Sequence, residues 1–373
     1  MKKDLYDLTA PQKSILATEQ YFKGSNINNI CGSAFIYEAI NFDILKKAVN
    51  LLVKYNDSLR IKLCIENNEI KQYVSDYIPF DVDVIDVNIE NDVSNIENNL
   101  IKQVFDIYSN MFTCKLFRFP NGSGGFSVNI HHLVSDSWTL GLVARGIVHI
   151  YSCLIKNEDV DVSTIFSYTD YIKSEQEYIS STKFMKDKEY WNSIFESIPE
   201  SASIPSRKTD VDNFSCKANR VLYTISKEKM DEINDFCKSV GISVFNFFMA
   251  IFSIYIGRVS NLDDFVIGTP ILNRTNFKEK NTMGMFINIV PCRIDLLKNQ
   301  TFKDFANSIS KNSLGLLRHQ KYSYQYILED LRRKNPNLPS LYNIIMSYQI
   351  TKANIEDGLS YDTRWAFNGT CRR

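Results

Sequence analysis

Two adjacent histidines are the strongest chemical signal in the sequence. His131 and His132 are two of only four histidines among 373 residues, and they lie in the segment IHHLVSDSW, residues 130–138. The residues before them alternate in polarity, which predicts a strand whose successive side chains point to opposite faces. The two rings therefore cannot bind one metal ion together. His132 shares its face with three apolar side chains and His131 shares its face with two polar ones, so we expect His132 in an interior or a tunnel.

A histidine on an apolar face suits a general base. Burial favours the neutral form of an imidazole, which can accept a proton. The alternative is a structural His132 that bonds to a backbone carbonyl. Asp136 follows four residues later, where the strand is predicted to give way to a helix. Its carboxylate is placed to cap that helix, to form an ion pair that fixes the histidine loop, or to do both.

These residues need elements to position them, and hydrophobic periodicity predicts a mixed α/β chain. Helices are predicted over 5–21, 44–55, 140–154, 170–195, 227–239, 242–256 and 302–318, and strands over 31–37, 59–65, 126–132, 220–225, 265–271, 285–294 and 342–349. The polar stretch 197–214 lacks periodicity and contains prolines, which is typical of a crossing between lobes. The two halves have similar helix and strand content. We therefore predict two lobes, residues 1–175 with the histidine segment and residues 176–373.

The composition argues against several classes of function. The 43 basic and 43 acidic side chains cancel, so no overall field would draw the chain to nucleic acid or to an anionic membrane. The uncharged stretch 239–257 is long enough for a transmembrane helix, but serines, glycines and an asparagine interrupt it, which favours a helix buried in the protein. The eight cysteines have no metal-ligand or redox spacing, and no signal peptide is evident. We therefore expect free thiols and a cytoplasmic location.

The histidine segment resembles the signature of the condensation domains of nonribosomal peptide synthetases, which is two histidines, three further residues and an aspartate that a glycine usually follows. Other motifs of the family resemble segments in the same order along the chain: LTAPQ at 8–12, NDSLR at 56–60, YTDY at 168–171, IGTPILNR at 267–274 and GMFINIVPCR at 284–293, with looser matches of HQKYSY at 319–324 and RKNP at 333–336. The resemblance runs from about residue 8 to residue 349. Ser137 replaces the usual glycine, and Pro11 and Lys13 also depart from the family pattern.

This resemblance implies an α/β fold of two lobes, each like a subunit of chloramphenicol acetyltransferase, in a V-shaped pseudo-dimer with a central tunnel. It implies amide bond formation, in which the α-amine of an acceptor aminoacyl thioester attacks the thioester of a donor acyl or peptidyl group. Both substrates would arrive on the 4'-phosphopantetheine arms of carrier proteins, which share an assembly line with an adenylation domain. No bound cofactor and no metal are implied.

The resemblance also implies roles for individual residues. His132 would lie beside the attacking amine, where it positions the amine or removes its proton, and His131 would support it. Asp136 would form a structural ion pair with Arg60. The substrate tunnel would contain Ser137, Trp138 and Asn288.

Three other functions stay open. A starter condensation domain would acylate the first amino acid with a fatty acyl group, an epimerisation domain keeps the same histidines, and a degenerate domain would only recruit a carrier. A heterocycle-forming relative has aspartates in place of the histidines, so His131 and His132 argue against that class. The chain is shorter than the family at its C-terminal end, so we expect a second lobe that is truncated or completed differently.

Overall fold

Two large hydrophobic cores divide the chain into two lobes. A computed structural model describes residues 4–204, 218–296, 299–349, 354–356, 358–367 and 369. The helices are α1 (Ala10–Tyr21), α2 (Phe42–Tyr55), α3 (Glu90–Ile101), α4 (Ser137–Lys156), α5 (Tyr168–Ile179), α6 (Thr182–Ile194), α7 (Lys227–Val240), α8 (Val244–Ser260), α9 (Phe277–Lys280), α10 (Phe302–Arg318) and α11 (Tyr324–Lys334). The strands are β1 (Asn29–Ile36), β2 (Ile61–Glu66), β3 (Glu69–Val74), β4 (Val84–Asp86), β5 (Phe112–Arg118), β6 (Gly124–His131), β7 (Asp264–Ile271), β8 (Asn288–Asp295), β9 (Asn354–Glu356) and β10 (Leu359–Trp365).

The first lobe is built on a six-stranded sheet with the order β4-β5-β6-β1-β10-β9. Neighbouring strands are antiparallel except for the parallel pair β4 and β5. Side chains alternate across β1, which places Ala34 and Ile36 in the large core with α2 and α4, and Cys31 and Phe35 in a smaller core with α3. β6 lies between β5 and β1, is buried along its whole length and ends at His131, directly before His132.

The second lobe packs its helices on the antiparallel pair β7 and β8. The stretch 239–257, which we predict to be a buried helix, is divided between α7 and α8. Gly241 ends α7 in the left-handed conformation and the side chain of Ser243 caps α8, so the two helices meet at 99°. Among the described helices, α4 is long and apolar enough to cross a membrane, but 61% of its apolar stretch is buried within the protein, as in a core helix.

The division between the lobes is not a single cut along the chain. Residues beyond 175 return to the first lobe twice: Met283, Met285 and Phe286 pack in its core, and β10 pairs with β1. The predicted assignment of all of 176–373 to the second lobe is therefore corrected. These two later segments belong to the first lobe because its core and its sheet are incomplete without them.

Two predicted strands are wrong. Residues 220–225 form no strand in the described structure, and Val221 and Tyr223 are 94% and 90% exposed. Within the described residues 342–349 the only ladder contact is a bridge between Ile345 and Gly268. Both segments have the composition of strands. Residues 220–225 lie exposed, whereas the backbone of the described residues 342–349 bonds to that of β7 only through Gly268, whose N–H donates to Ile344 O and whose carbonyl oxygen accepts from Met346 N, each at 2.9 Å. In the described part of the second lobe, the sheet consists of the two strands β7 and β8.

Candidate active site

His132 lies at the wall of a cavity between the two lobes. It follows the last residue of β6, and the cavity of about 380 Å³ is lined by residues of both lobes, among them Ala10, Pro270 and Asn288. Nδ1 of His132 lies 2.8 Å from the carbonyl oxygen of Ser135. Since a carbonyl oxygen can only accept, Nδ1 carries a proton, and in the neutral form of the ring the lone pair is then on Nε2. This bond to a backbone carbonyl is also the one expected of a structural histidine. The position of the ring at the cavity wall, together with this distribution of protons, is what suits His132 to act as a general base.

His131 has a structural environment. Its side chain is buried, its Nε2 lies 3.1 Å from a carboxylate oxygen of Glu19 on α1, and its Nδ1 accepts a hydrogen bond from the backbone N–H of Leu133 at 3.1 Å. The ring of Phe105 packs edge-on against it, with centroids 6.1 Å apart. Both ring nitrogens thus hold the turn after β6 against α1. The two histidines have different surroundings, as alternation along the strand predicts.

Asp136 joins the histidine loop to the second lobe. As the N-cap of α4, its Oδ1 accepts a hydrogen bond from Thr139 N at 2.8 Å, and its Oδ2 accepts one from Phe286 N at 3.1 Å. Nη2 of Arg274 lies 3.1 Å from Oδ1 and 3.0 Å from Oδ2, and both side chains are fully buried. Asp136 therefore has both of the roles that the sequence predicts, the helix cap and an ion pair.

The arginine in that ion pair is not the expected one. Arg60 donates from Nε to the carbonyl oxygen of Val53 at 3.1 Å and from Nη1 to that of Ser75 at 2.7 Å. It ends a short 3-10 helix beside the end of β3, where these carbonyls satisfy its guanidinium. The predicted pair of Arg60 and Asp136 is therefore wrong. Arg274 reaches Asp136 instead, because the loop after β7 carries it across the interface between the lobes.

Arg274 is the residue of the site that sequence reasoning misses. It ends the segment IGTPILNR, but its partner lies 138 positions away, so no local pattern predicts the contact. Nη1 of Arg274 donates to the carbonyl oxygens of Glu279 and Thr282, each at 2.5 Å, and the guanidinium carbon lies 3.8 Å from the centroid of the Phe286 ring. The need for charge balance was the one signal in the sequence: a buried Asp136 requires a buried cation as its partner, although the sequence does not say which one.

The three residues expected at the tunnel have different surroundings. Ser137 lines the cavity as the first residue of α4, so its backbone is helical and the usual glycine is not needed for a left-handed conformation. Asn288 lines the cavity, but its side-chain amide bonds to the backbone within 320–324. Trp138, in contrast, does not line this cavity: it is 38% exposed and donates from Nε1 to the carbonyl oxygen of Lys280 at 2.8 Å. The ring of Trp138 is instead held beside the end of α9.

A partly buried carboxylate contacts the start of α1. Both carboxylate oxygens of Glu175, on α5, accept from Ala10 N, at 3.2 and 3.1 Å. Burial raises the pKa of Glu175 to about 7, against the opposing effects of the hydrogen bond from Ala10 and the charges of Lys13 and Lys321. Glu175 therefore changes charge near neutral pH, next to a residue that lines the cavity.

The described residues contain neither a cluster suited to bind a metal ion nor, in the two cysteines considered below, a reactive thiol. Within them, no group of three or more His, Cys, Asp or Glu side chains could hold a metal ion. Cys31 and Cys292 are buried free thiols, and burial raises the pKa of each to about 12. These two thiols therefore stay protonated near neutral pH and are poor nucleophiles.

Comparison with known proteins gives a consistent result. The family model described as Condensation domain matches residues 2–369. The chain is 32% identical to surfactin synthase subunit 1 of Bacillus subtilis (strain 168) over 99% of its own length, and 22% identical to tyrocidine synthase 3 of Brevibacillus parabrevis, also over 99%. It spans only 10% and 6% of the length of these two proteins.

Solved structures share the fold. One is the first condensation domain of the calcium-dependent antibiotic synthetase, in complex with a substrate analogue. The match covers 97% of this chain and 84% of that domain, at 17% identity and a TM-score of 0.83. Another is a variant of the starter condensation domain of rhizomide synthetase, in complex with C8-CoA. That match covers 98% of this chain and 84% of the other chain, at 18% identity and a TM-score of 0.83. The predicted α/β fold of two chloramphenicol acetyltransferase-like lobes is confirmed, and the predicted V-shaped pseudo-dimer is consistent with the fold of these structures.

Proposed function

The chain belongs to the condensation domain family, and from this premise we propose that it forms amide bonds between two carrier-bound substrates. The acceptor is the α-amine of an aminoacyl thioester, and the donor is the acyl or peptidyl group of a second thioester. One observation carries the proposal: His132 lines the cavity between the lobes and its Nδ1 proton is directed to Ser135 O at 2.8 Å. We assign proton transfer to Nε2 of the same ring.

In the proposed step, the amine nitrogen attacks the carbonyl carbon of the donor thioester, and Nε2 of His132 accepts the proton that the nitrogen loses. The tetrahedral intermediate collapses as the carbon–sulfur bond breaks, and the proton passes from Nε2 to the departing pantetheine sulfur. The products are a lengthened thioester on the acceptor carrier and a free thiol on the donor carrier. His131 and Asp136 act as positioning residues, because their bonds to Leu133 and Arg274 hold the chain on either side of His132.

The proposed partners follow from this reaction. Donor and acceptor carrier proteins deliver the substrates on 4'-phosphopantetheine arms, no cofactor stays bound, and an adenylation domain of the same assembly line loads a carrier. The formal net charge of zero favours recognition through local contacts over long-range attraction, and it gives no support to nucleic-acid or membrane binding. The free thiols described in the structure support a location in the reducing cytoplasm.

Intact-mass spectrometry of loaded carriers tests the proposal. Donor and acceptor carriers would be loaded in pairs, with fatty acyl and aminoacyl donors, and incubated with the protein. We expect the acceptor carrier to gain the mass of the donor acyl group. Gain only from fatty acyl donors would identify a starter domain.

Two outcomes would contradict amide formation. Carriers that bind but never change mass would indicate a degenerate recruiting domain. Deuterium uptake at the α-carbon of a single aminoacyl carrier, without any acyl transfer, would indicate an epimerisation domain.

A further inference from the structure

The described wall of the cavity beside His132 contains no side chain with a fixed charge. Both lobes contribute to this wall, yet none of the described residues that line it is Asp, Glu, Lys or Arg. An ion that leaves water needs a counter-charge or a full set of hydrogen bonds, because an unpaired charge in a low dielectric is costly. The wall therefore offers no counter-charge to a carboxylate or an ammonium group that enters.

Two polar residues of the wall are already bonded within the protein. The side-chain amide of Asn288 bonds to the backbone within 320–324. The hydroxyl of Tyr324 accepts a hydrogen bond from Leu341 N at 2.9 Å and lies 3.0 Å from Oγ of Ser340. Because these hydrogen bonds are made to the protein, the two side chains are not available to replace the water around an ion.

The charged groups described above for the site are compensated behind the wall. Asp136 and Arg274 are fully buried and pair with each other at 3.0 Å. Both carboxylate oxygens of Glu175 accept from Ala10 N. None of these three charged residues is among those that line the cavity. Their charges are thus used within the protein and do not serve an entering ligand.

Isoleucine side chains supply apolar surface at the wall. One lies on β1, one ends β7, one lies on β8, and one directly precedes β8. All four are only partly buried: Ile30, Ile271, Ile289 and Ile287. An apolar group that packs on them removes their remaining surface from water, which is favourable. The cavity of about 380 Å³ is within the usual size range of small-ligand sites.

We propose that the cavity selects a donor acyl group that is uncharged and apolar, such as an alkyl chain or an aliphatic side chain. The inference rests on the proposed function, because that function brings a donor thioester into this space. The partly buried isoleucines favour the apolar group. A donor with a carboxylate or an ammonium group at the end of the chain is rejected, because its charge meets no partner at the wall.

Binding of three stable probes to wild type tests the proposal by isothermal titration calorimetry. All three are acyl pantetheines in which NH replaces the thioester sulfur, so that no transfer can occur. The first carries an octanoyl chain, the second the same chain ending in a carboxylate, and the third the same chain ending in an ammonium group. We expect the octanoyl probe to bind at least about tenfold more tightly than either charged probe.

A charge introduced at the wall should change the preference. Leu272 lines the cavity and is 41% exposed, so Leu272→Lys can be accommodated without burying the ammonium group. We expect this variant to bind the carboxylate probe roughly two- to fivefold more tightly and the ammonium probe more weakly, the scale of a partly exposed ion pair. The matched control is Leu314→Lys, at an exposed leucine of α10 that does not line the cavity, which should leave all three affinities unchanged.

Equal affinity of wild type for the three probes, tighter binding of a charged probe, or no binding of the octanoyl probe would overturn the inference. So would a folded Leu272→Lys variant with the same preference as wild type, because the selection would then lie outside this cavity. The comparison in wild type decides the matter if that variant does not fold. Preference for the octanoyl probe in a protein that never lengthens an acceptor would contradict the proposed function and leave this inference intact.

Discussion

At the scale of single residues, the shape of the site depends on the buried pair of Asp136 and Arg274. Both side chains are fully buried, and the carboxylate also accepts hydrogen bonds from Thr139 N and Phe286 N. A buried ion pair adds little net stability, but removal of one partner leaves the other charge without compensation in a low dielectric. The loss of Arg274 should therefore affect both the fold and the loop that carries His132.

Arg274→Ala should lower the free energy of unfolding by about 3–5 kcal/mol, the usual cost of breaking a buried pair. Urea denaturation of wild type and variant measures this. Arg60→Ala is the control, because Arg60 bonds only to backbone carbonyls at a partly exposed position, and it should cost roughly 1–2 kcal/mol. An equal or larger loss in Arg60→Ala would contradict the assignment of Arg274 as the partner of Asp136.

Local pattern predicted some of these residues and could not predict others. Alternation along a strand separated His131 from His132, and the transition from strand to helix located the cap at Asp136, because both depend on neighbours within a few positions. The identity of the arginine depends on how two lobes pack. The sequence contains many basic residues, and it does not show which of them lies near Asp136. Arg60 donates to the carbonyl oxygen of Ser75, a contact that exists only once the backbone is folded.

At the scale of elements, Glu175 joins α5 to the start of α1 within the first lobe. The pKa of this carboxyl is raised by burial to about 7 from a reference value of 4.5. Between these values the folded state binds more protons than the unfolded state, so the free energy of unfolding falls as pH rises. The stabilisation from this group is complete below pH 4.5 and is lost as pH approaches 7.

Glu175→Gln should remove this dependence. The free energy of unfolding of the variant minus that of wild type should be larger at pH 8 than at pH 5. The increase should be roughly 1–3 kcal/mol, since one pKa unit corresponds to about 1.4 kcal/mol. Urea denaturation at the two pH values measures the difference. Glu177→Gln, at an exposed position on the same helix, should show no such change. A stability difference between Glu175→Gln and wild type that is the same at both pH values would rule out this titration.

The helix α10 was predicted more accurately than the strand at 220–225, for a physical reason. The predicted helix 302–318 is confirmed residue for residue as α10, because the bonds and the apolar face of a helix lie within one segment. A strand depends on a partner elsewhere in the chain. Residues 220–225 have the composition of a strand but lie exposed, whereas 265–271 has the same character and pairs with β8.

At the scale of the whole molecule, the later part of the chain completes the first lobe. Tyr361 of β10 is 3% exposed in the core of that lobe, and β10 pairs with β1 beside the strand that carries the histidines. The sequence predicts two lobes but not this return, because hydrophobic periodicity gives no information on which sheet a strand joins. The two lobes should therefore unfold together.

Tyr361→Ala should destabilise the whole protein by about 3–5 kcal/mol, the usual cost of truncating a large buried side chain. Differential scanning calorimetry should record one transition that moves as a unit to lower temperature. Tyr223→Ala, at a position that is 90% exposed, should leave the midpoint unchanged. Two transitions, of which only one moves, would contradict the cooperative arrangement.

The central claim is that Nε2 of His132 moves the proton in amide formation. The most direct measurement compares wild type and His132→Ala for the rate at which a loaded acceptor carrier gains the donor acyl mass. The account predicts a loss of at least about 100-fold, the usual contribution of a positioned general base, with an unfolding midpoint close to that of wild type because the ring lies at a cavity wall. Amide formation by His132→Ala at a rate near that of wild type would contradict the claim.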